Sequence, residues 1–397
     1  MDFTVVDNLA QYRDEARRWV AENLPEIKDE AKRQRKSGDT FSREFHRRLA
    51  AAGVLGAGWP REYGGSDMPV GFARAIHQEM ARQGVREVGW QTSVFVLKTI
   101  LDLGTEEQKQ EIVAGGLRGE IVIALGYSEP DSGSDVAAAR TRSVRDGNEW
   151  VINGQKMFTT GAHLATHAFM ITRSDPQAPK HDGLTTLLVP LEQPGVEIRG
   201  IWTLSGERTN ATFYTDVRTP DRFRVGAVNG GWKVMRTALI HERTSGDDLG
   251  ITQRRPTGEF VRWAQKARRD DGSRVWDDPV VREQIVRYTI DEEVAKGLSM
   301  WAQWATRTGD RSGVPNAAAK LFNQERAQLR DWGMIELHGA EGMLTYEASD
   351  APLGAAVQEA ALVGTINTIA GGSSEIMRNI IAERALGLPR SRPPGSR

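Results

Sequence analysis

The residues best suited to bind a polar ligand fall in one turn-rich run, Ala124-Leu125-Gly126-Tyr127-Ser128-Glu129-Pro130-Asp131-Ser132-Gly133-Ser134-Asp135. Gly, Ser and Asp in such a turn leave backbone N–H groups and hydroxyls exposed to a ligand. Two further runs stand out. One is Ile369-Ala370-Gly371-Gly372-Ser373-Ser374-Glu375-Ile376-Met377-Arg378-Asn379-Ile380-Ile381-Ala382, and the other is Ala238-Leu239-Ile240-His241-Glu242-Arg243-Thr244, which sets a carboxylate beside a guanidinium. His163 and His167 are four apart, a spacing that on a helix would let both bind a metal. They follow a strand pattern with no H-E-x-x-H and no acidic cluster beside them, so hydrogen-bonding histidines are the favoured reading and no metal site is assigned. Arg140, Arg142 and Arg145 read as a solvated edge rather than an anion patch.

Other chemistries are excluded by what is missing. No Walker phosphate loop, G-x-G-x-x-G or G-x-S-x-G occurs, so neither a Rossmann site nor a nucleophile elbow is supported. With no cysteine there is no thiolate nucleophile, disulfide framework or Cys-ligated cluster, which fits a reducing, cytoplasmic location. The 397 residues carry 52 Lys+Arg against 53 Asp+Glu, and this balance argues against a nucleic-acid partner. Asp2, Asp7, Arg13, Asp14 and Glu15 are unlike a secretory signal, and no apolar run approaches the ~20 residues of a membrane span.

Three stretches must position these groups. Residues 1–122 read as a helical domain: Phe72, Ile76 and Met80 share one helix face, and Val94, Leu97, Ile100 and Leu101 do the same before Gly104. Thr105-Glu106-Glu107-Gln108 forms a capping box opening a helix that Gly115-Gly116 is expected to close. Residues 123–230 read as a β domain, with strands at 168–172, 184–189, 196–202 and 211–217 and a type I′ hairpin turn at Asn153-Gly154. Spacing this short favours antiparallel pairing. Residues 231–388 read as helical again, with loops around 254–258 and 268–278, and residues 389–397 as a disordered tail. The fold class expected is mostly α with a central antiparallel β domain.

The order of residues in the first run, followed by Gln155-Lys156-Met157-Phe158-Thr159-Thr160-Gly161, resembles the acyl-CoA dehydrogenase signature "A-Y-x-x-T-E-P-x-x-G-S-D … I-N-G-x-K-x-[WF]-I-T". Residues 369–382 resemble that family's C-terminal "Y-E-G-T-x-x-I-Q-R-x-x-I-A". The resemblance spans essentially the whole chain and implies a helical domain, a β-barrel-like domain and a helical bundle. It implies FAD held by Leu125, Tyr127, Ser128, Gly133, Ser134, Phe158 and Thr160, and by Glu336, Gly339, Ser373 and Glu375 nearer the C-terminus. Ser134, Arg243 and Gly371 fall where the family meets the acyl-CoA substrate. The family's R-x-x-F-G motif, which reaches a neighbouring subunit's flavin, has only a poor counterpart at Arg274-Val275-Trp276-Asp277.

The reaction implied is oxidation of an acyl-CoA thioester to the 2,3-enoyl-CoA. It needs a carboxylate near the α-carbon and hydrogen-bond donors to the thioester oxygen. The family's usual Glu in "Y-E-G-T" is replaced here by Gly371. Glu242 resembles the "x-E-R" base of isovaleryl-CoA-type and some sterol-side-chain dehydrogenases, and is the expected catalytic residue. The family also implies an electron-transferring flavoprotein as acceptor and an oligomeric assembly. Two alternatives stand beside this expectation: a half-site subunit in a heteromer with a homologous chain, and a related flavin oxidase or monooxygenase.

Overall fold

The computed structural model describes residues 9–248, 257–310 and 312–390. Contacts divide it into two compact units, residues 7–253 and a unit built on residues 254–397. The expected disordered tail beyond residue 390 lies outside the described residues.

The first unit opens with helices α1 (Arg13–Asn23), α2 (Ile27–Ser37), α3 (Arg43–Ala51), α4 (Val70–Arg82) and α5 (Val88–Leu103). Ile76 and Met80 of α4 are fully buried with Phe72 packed on the same cluster, so the i, i+4 face points inward as expected. Thr105 forms the capping box with Gln108 at the start of α6 (Glu106–Gln108). A π-helical segment then leads into α7 (Ala114–Leu117). Gly115 and Gly116 do not close this helix. They lie inside it, where a Cβ on Gly116 would come within 2.5 Å of Leu97 Cδ1; bare backbone there lets α7 approach α5.

The sheet has eight strands: β1 (Ile123–Gly126), β2 (Arg142–Asp146), β3 (Glu149–Lys156), β4 (His167–Arg173), β5 (Leu184–Pro190), β6 (Val196–Trp202), β7 (Arg208–Pro220) and β8 (Arg224–Val225). Their order is β6-β7-β3-β2-β4-β5-β8, with β1 added on β4. Most pairs are antiparallel, but β1 runs parallel to β4, so the sheet is mixed. The β2–β3 connection and the loop before it supply the crossover length that parallel pairing needs. Alternation along β4 sends Phe169 and Ile171 into the core shared with the N-terminal helices, and Met170 into a second core with Trp150, Ile152, Tyr214 and Val217.

The hairpin is not where Asn153-Gly154 placed it. The tight turn is Gly147-Asn148, between paired Asp146 and Glu149, and β3 continues through Asn153-Gly154. Register shifts there against β7, and Gly154 (φ +146°) brings its backbone to a point where a Cβ would stand 2.8 Å from Thr141 Cα. The pair that signals a turn instead continues β3 opposite a β-bulge on β7, where Thr215 and Asp216 stand against Asn153 alone and Asp216 has φ +50°.

Helix α8 (Gly231–Asp248) packs on α5 and β5 and so belongs with the first unit. The second unit holds α9 (Thr257–Lys266), α10 (Pro279–Arg307), α11 (Val314–His338), α12 (Ala356–Asn367) and α13 (Ser374–Arg384) around Phe260, Ala264, Ile285, Met334 and Val357.

Candidate active site

The turn-rich run leaves the sheet at the end of β1 and returns to it at β2. Gly126, Tyr127, Glu129 and Ser132 are buried, Leu125 and Ser128 half-buried, and Gly133 and Ser134 exposed. The buried residues anchor the turn while Gly133 and Ser134 face outward, and a Cβ at Gly133 would meet nothing within 4 Å. The segment after β3 lies alongside, because Met157 N–H donates to Ser128 O at 2.9 Å. Phe158 follows with its ring 63% exposed and its backbone at φ +57°, a left-handed conformation seldom held by an aromatic residue. Thr160 Oγ1 meets Thr209 Oγ1 at 2.9 Å, and Asn210 Nδ2 donates to Thr159 O at 3.0 Å, which fixes the segment beyond the ring. Leu125, Tyr127, Ser128, Gly133, Ser134, Phe158 and Thr160 therefore sit on adjoining segments of one unit.

Glu242 belongs to the same unit and is half-buried on α8. Burial pushes the Tyr127 phenol well above its ordinary pKa, and the Glu242 charge adds to the rise, so the carboxylate lies within electrostatic reach of the loop. The Tyr127 hydroxyl is buried and has no hydrogen-bond partner among the described residues. One residue before Glu242, His241 Nε2 meets Asp102 Oδ2 at 2.8 Å and ties α8 to α5. The side chain of Arg243 lies outside the described residues.

The remaining predicted residues belong to the second unit. Gly371 and Gly372 have φ of +65° and +98°, a backbone that disfavours any side chain. Ser373 caps α13 by accepting from Ile376 N–H, and Glu375 in its first turn is held below the usual carboxylate range by its backbone N–H and the Ser373 hydroxyl. Lys320 Nζ donates to Ala370 O, which sets this loop beside the N-terminal half of α11. Glu336 and Gly339 are exposed at the other end of that helix, about 24 Å further along at 1.5 Å per residue. The structure thus does not bring Glu336 and Gly339 together with Ser373 and Glu375. Arg274 is engaged by its own turn, with its guanidinium on Asp277 at 2.7 Å.

His163 hydrogen-bonds Asp39 and Asn210, and His167 the Thr166 hydroxyl. Among the described residues no group of three His, Asp or Glu is placed to hold a metal, and no helix is long and apolar enough to cross a membrane.

Two residues under the loop were not singled out from sequence. Lys156 is fully buried and donates to Glu129 Oε1 at 2.8 Å. The signal was parity: Lys156 has the same phase along β3 as the inward-facing Trp150 and Ile152.

Comparison with known proteins places this geometry in context. Residues 7–120, 124–218 and 229–386 match the N-terminal, middle and C-terminal domain models of acyl-CoA dehydrogenases. The chain is 34% identical to the acyl-CoA dehydrogenase FadE26 of Mycobacterium tuberculosis, over 88% of each chain. It is 34% identical to the acyl-CoA dehydrogenase IpdE1 of Mycolicibacterium smegmatis, over 96% of this chain and 98% of that one. Among solved structures it resembles the Tcur3481-Tcur3483 steroid acyl-CoA dehydrogenase, with a TM-score of 0.86 and 35% identity over 98% of this chain and all of that one. It also resembles the ChsE4-ChsE5 complex from Mycobacterium tuberculosis, with a TM-score of 0.84 and 31% identity over 98% of this chain and 100% of that chain. With three domain models matched in order along nearly its whole length, the chain belongs to the acyl-CoA dehydrogenase family, flavoprotein oxidoreductases of lipid metabolism.

Proposed function

We propose that this protein oxidises a bulky acyl-CoA thioester to its 2,3-enoyl-CoA, with FAD on the 125–134 loop and Glu242 as the base. The observation that supports this reading is that the half-buried Glu242 on α8 lies within electrostatic reach of Tyr127, in the same unit as the loop. The loop's surface fits a flavin. An exposed aromatic ring held at positive φ, an open Gly133 and a buried phenol without a partner are features a folded chain would not keep for its own packing. Leu125, Tyr127, Ser128, Gly133, Ser134, Phe158 and Thr160 would hold the isoalloxazine end, and FAD when bound supplies the acceptor for the β-hydride.

Glu242 takes the α-proton. The Gly371 N–H is the candidate donor to the thioester oxygen, and polarisation of that carbonyl makes the α-carbon acidic enough for a carboxylate to deprotonate. Ser134 and Arg243 would orient the substrate. Glycine at 371 and 372 leaves room for a wide acyl group, and the steroid specificity named for one structural relative points the same way. An electron-transferring flavoprotein is the proposed acceptor, and the cytoplasm the proposed location.

Anaerobic mixing with a panel of acyl-CoAs tests the reading by bleaching of the flavin. Glu242→Gln should keep FAD and bind acyl-CoA but slow bleaching by about 10²–10⁴-fold, the usual worth of general-base catalysis. Bleaching at nearly the wild-type rate would remove Glu242 from the mechanism. A second reading, one subunit of a heteromer, is favoured by the two-component relatives and by an Arg274 tied to Asp277. A preparation that is colourless alone and yellow with a homologous partner would establish it.

A further inference from the structure

A lysine with no exposed surface is rare, and such residues are kept only where paired. Lys156 Nζ, at the end of β3, donates to Glu129 Oε1 at 2.8 Å and to Tyr127 O at 3.3 Å. The same carboxylate accepts from Arg140 N–H at 2.7 Å and Thr141 N–H at 2.9 Å. Glu129 therefore gathers three donors from three places: the strand beneath the loop and both residues where the loop rejoins the sheet. Arg173 braces the same return by donating to Ala137 O at 2.6 Å, and its charge also faces Glu129. Between these fixed points the chain is outward-facing at Pro130, Asp131, Gly133 and Ser134.

Stability alone is a weak reason for this arrangement. Replacing a buried ion pair by apolar groups of similar volume is often neutral or stabilising, whereas removing one partner is costly. What an apolar pair could not do is hold Tyr127, Glu129, Arg140 and Thr141 around one point.

We propose that the Lys156–Glu129 pair is a positioning device that sets the shape of the 127–141 loop, and thereby the affinity for flavin, rather than a contributor to the stability of the fold. The proposal rests on the reading of that loop as the flavin site. Its pH dependence supports it. Burial lowers the Lys156 pKa to about 8, with Glu129 opposing the shift. The neighbouring Tyr127 phenol is pushed upward and does not titrate in that range, burial lowers the Arg173 pKa from its ordinary high value, and Thr212, paired with Lys156 across the sheet, is neutral. Since the folded value lies below that of an unfolded lysine, the titration of Lys156 does not weaken the fold between about pH 8 and 10.5. Loss of flavin in that window would therefore be separable from alkaline unfolding.

The test compares wild type, Lys156→Met and the double variant Lys156→Met/Glu129→Gln. FAD dissociation is followed by recovery of flavin fluorescence, and folding by the melting temperature of the flavin-free protein. Lys156→Met should melt lower and hold FAD at least ten-fold more weakly. The double variant should regain most of the melting temperature and keep the ten-fold loss. Wild type should lose affinity several-fold from pH 7 to 9.5, while the double variant stays flat. Recovery of both properties in the double variant would make the pair merely structural and overturn the proposal. Should the double variant not fold, a pH-independent wild-type affinity overturns it equally. A wild-type protein that binds no FAD at all, alone or with a partner, would instead defeat the flavin reading itself.

Discussion

The buried titratable side chains of the first unit divide into those compensated by a partner and those kept neutral. Glu129 stays below the ordinary carboxylate range although burial alone would raise it, because Lys156 and two backbone amides outweigh that burial. His46 has no such help: both ring nitrogens lack partners among the described residues, and the ring lies against Phe41 and Trp90 at centroid distances of 5.0 and 5.4 Å. Burial, with the nearby His77 and Arg47, holds its pKa down at about 3. Burial beside Arg222 holds His167 at about 4. A histidine whose folded pKa lies below the ~6.5 of the unfolded chain binds fewer protons when folded, so its contribution is intact above that value and is lost as pH falls. His46 alone should remove on the order of 3 kcal/mol between pH 7 and pH 4. His46→Phe should flatten this acid limb in urea titrations, and an unchanged slope would show that His46 is not the group being protonated. The charged neighbours of His46, Arg47 and the His77 that meets Glu87 at 2.9 Å, are retained in the variant.

At the scale of elements, whatever depended on neighbours in sequence was legible. The Thr105–Gln108 box, the α4 face and the run 196–202 appear as expected, since each needs only its own periodicity or a local hydrogen bond. The 124–135 run was singled out by residue order rather than composition. What could not be read were features decided by distant chain. Asn153-Gly154 signals a hairpin in any local reading, yet Asn153 bonds Asp216 sixty-three residues on, and Gly154 is pressed against Thr141. Likewise Gly115-Gly116 looked like a terminator until Leu97 and Ile121 were seen to occupy the space a side chain would need. Gly154→Ala would place a Cβ against fixed backbone at a φ few residues adopt, costing roughly 1–3 kcal/mol. The cost should appear as a lower urea midpoint together with weaker FAD retention. A variant as stable as wild type would mean that β3 relaxes freely away from Thr141.

For the whole molecule, the arrangement of α11 carries a consequence for assembly. The Gly371–Glu375 segment lies beside its N-terminal half and the Glu336–Gly339 segment at its far end, about 24 Å away. Two groups so separated on one rigid helix are badly placed to line the same end of one flavin, and are better placed to serve two. Each chain would then contribute to its own site and to that of a second chain, a copy or a homologue. The surface agrees with association: Val286, Ile290 and Val294 recur every fourth residue along α10 and are 48%, 57% and 43% exposed. An apolar stripe of this kind is uncommon on a lone soluble chain. Flavin binding should therefore follow assembly. In sedimentation velocity monitored at flavin and protein wavelengths, the flavin signal should travel with the dimer or larger species and vanish from any monomer produced by dilution. Val286→Asp/Ile290→Asp, which changes no residue proposed to touch flavin or substrate, should raise the monomer fraction and release FAD in proportion. A monomer that keeps its full complement of flavin would show that one chain completes the site by itself, leaving Glu336 and Gly339 without a part in it.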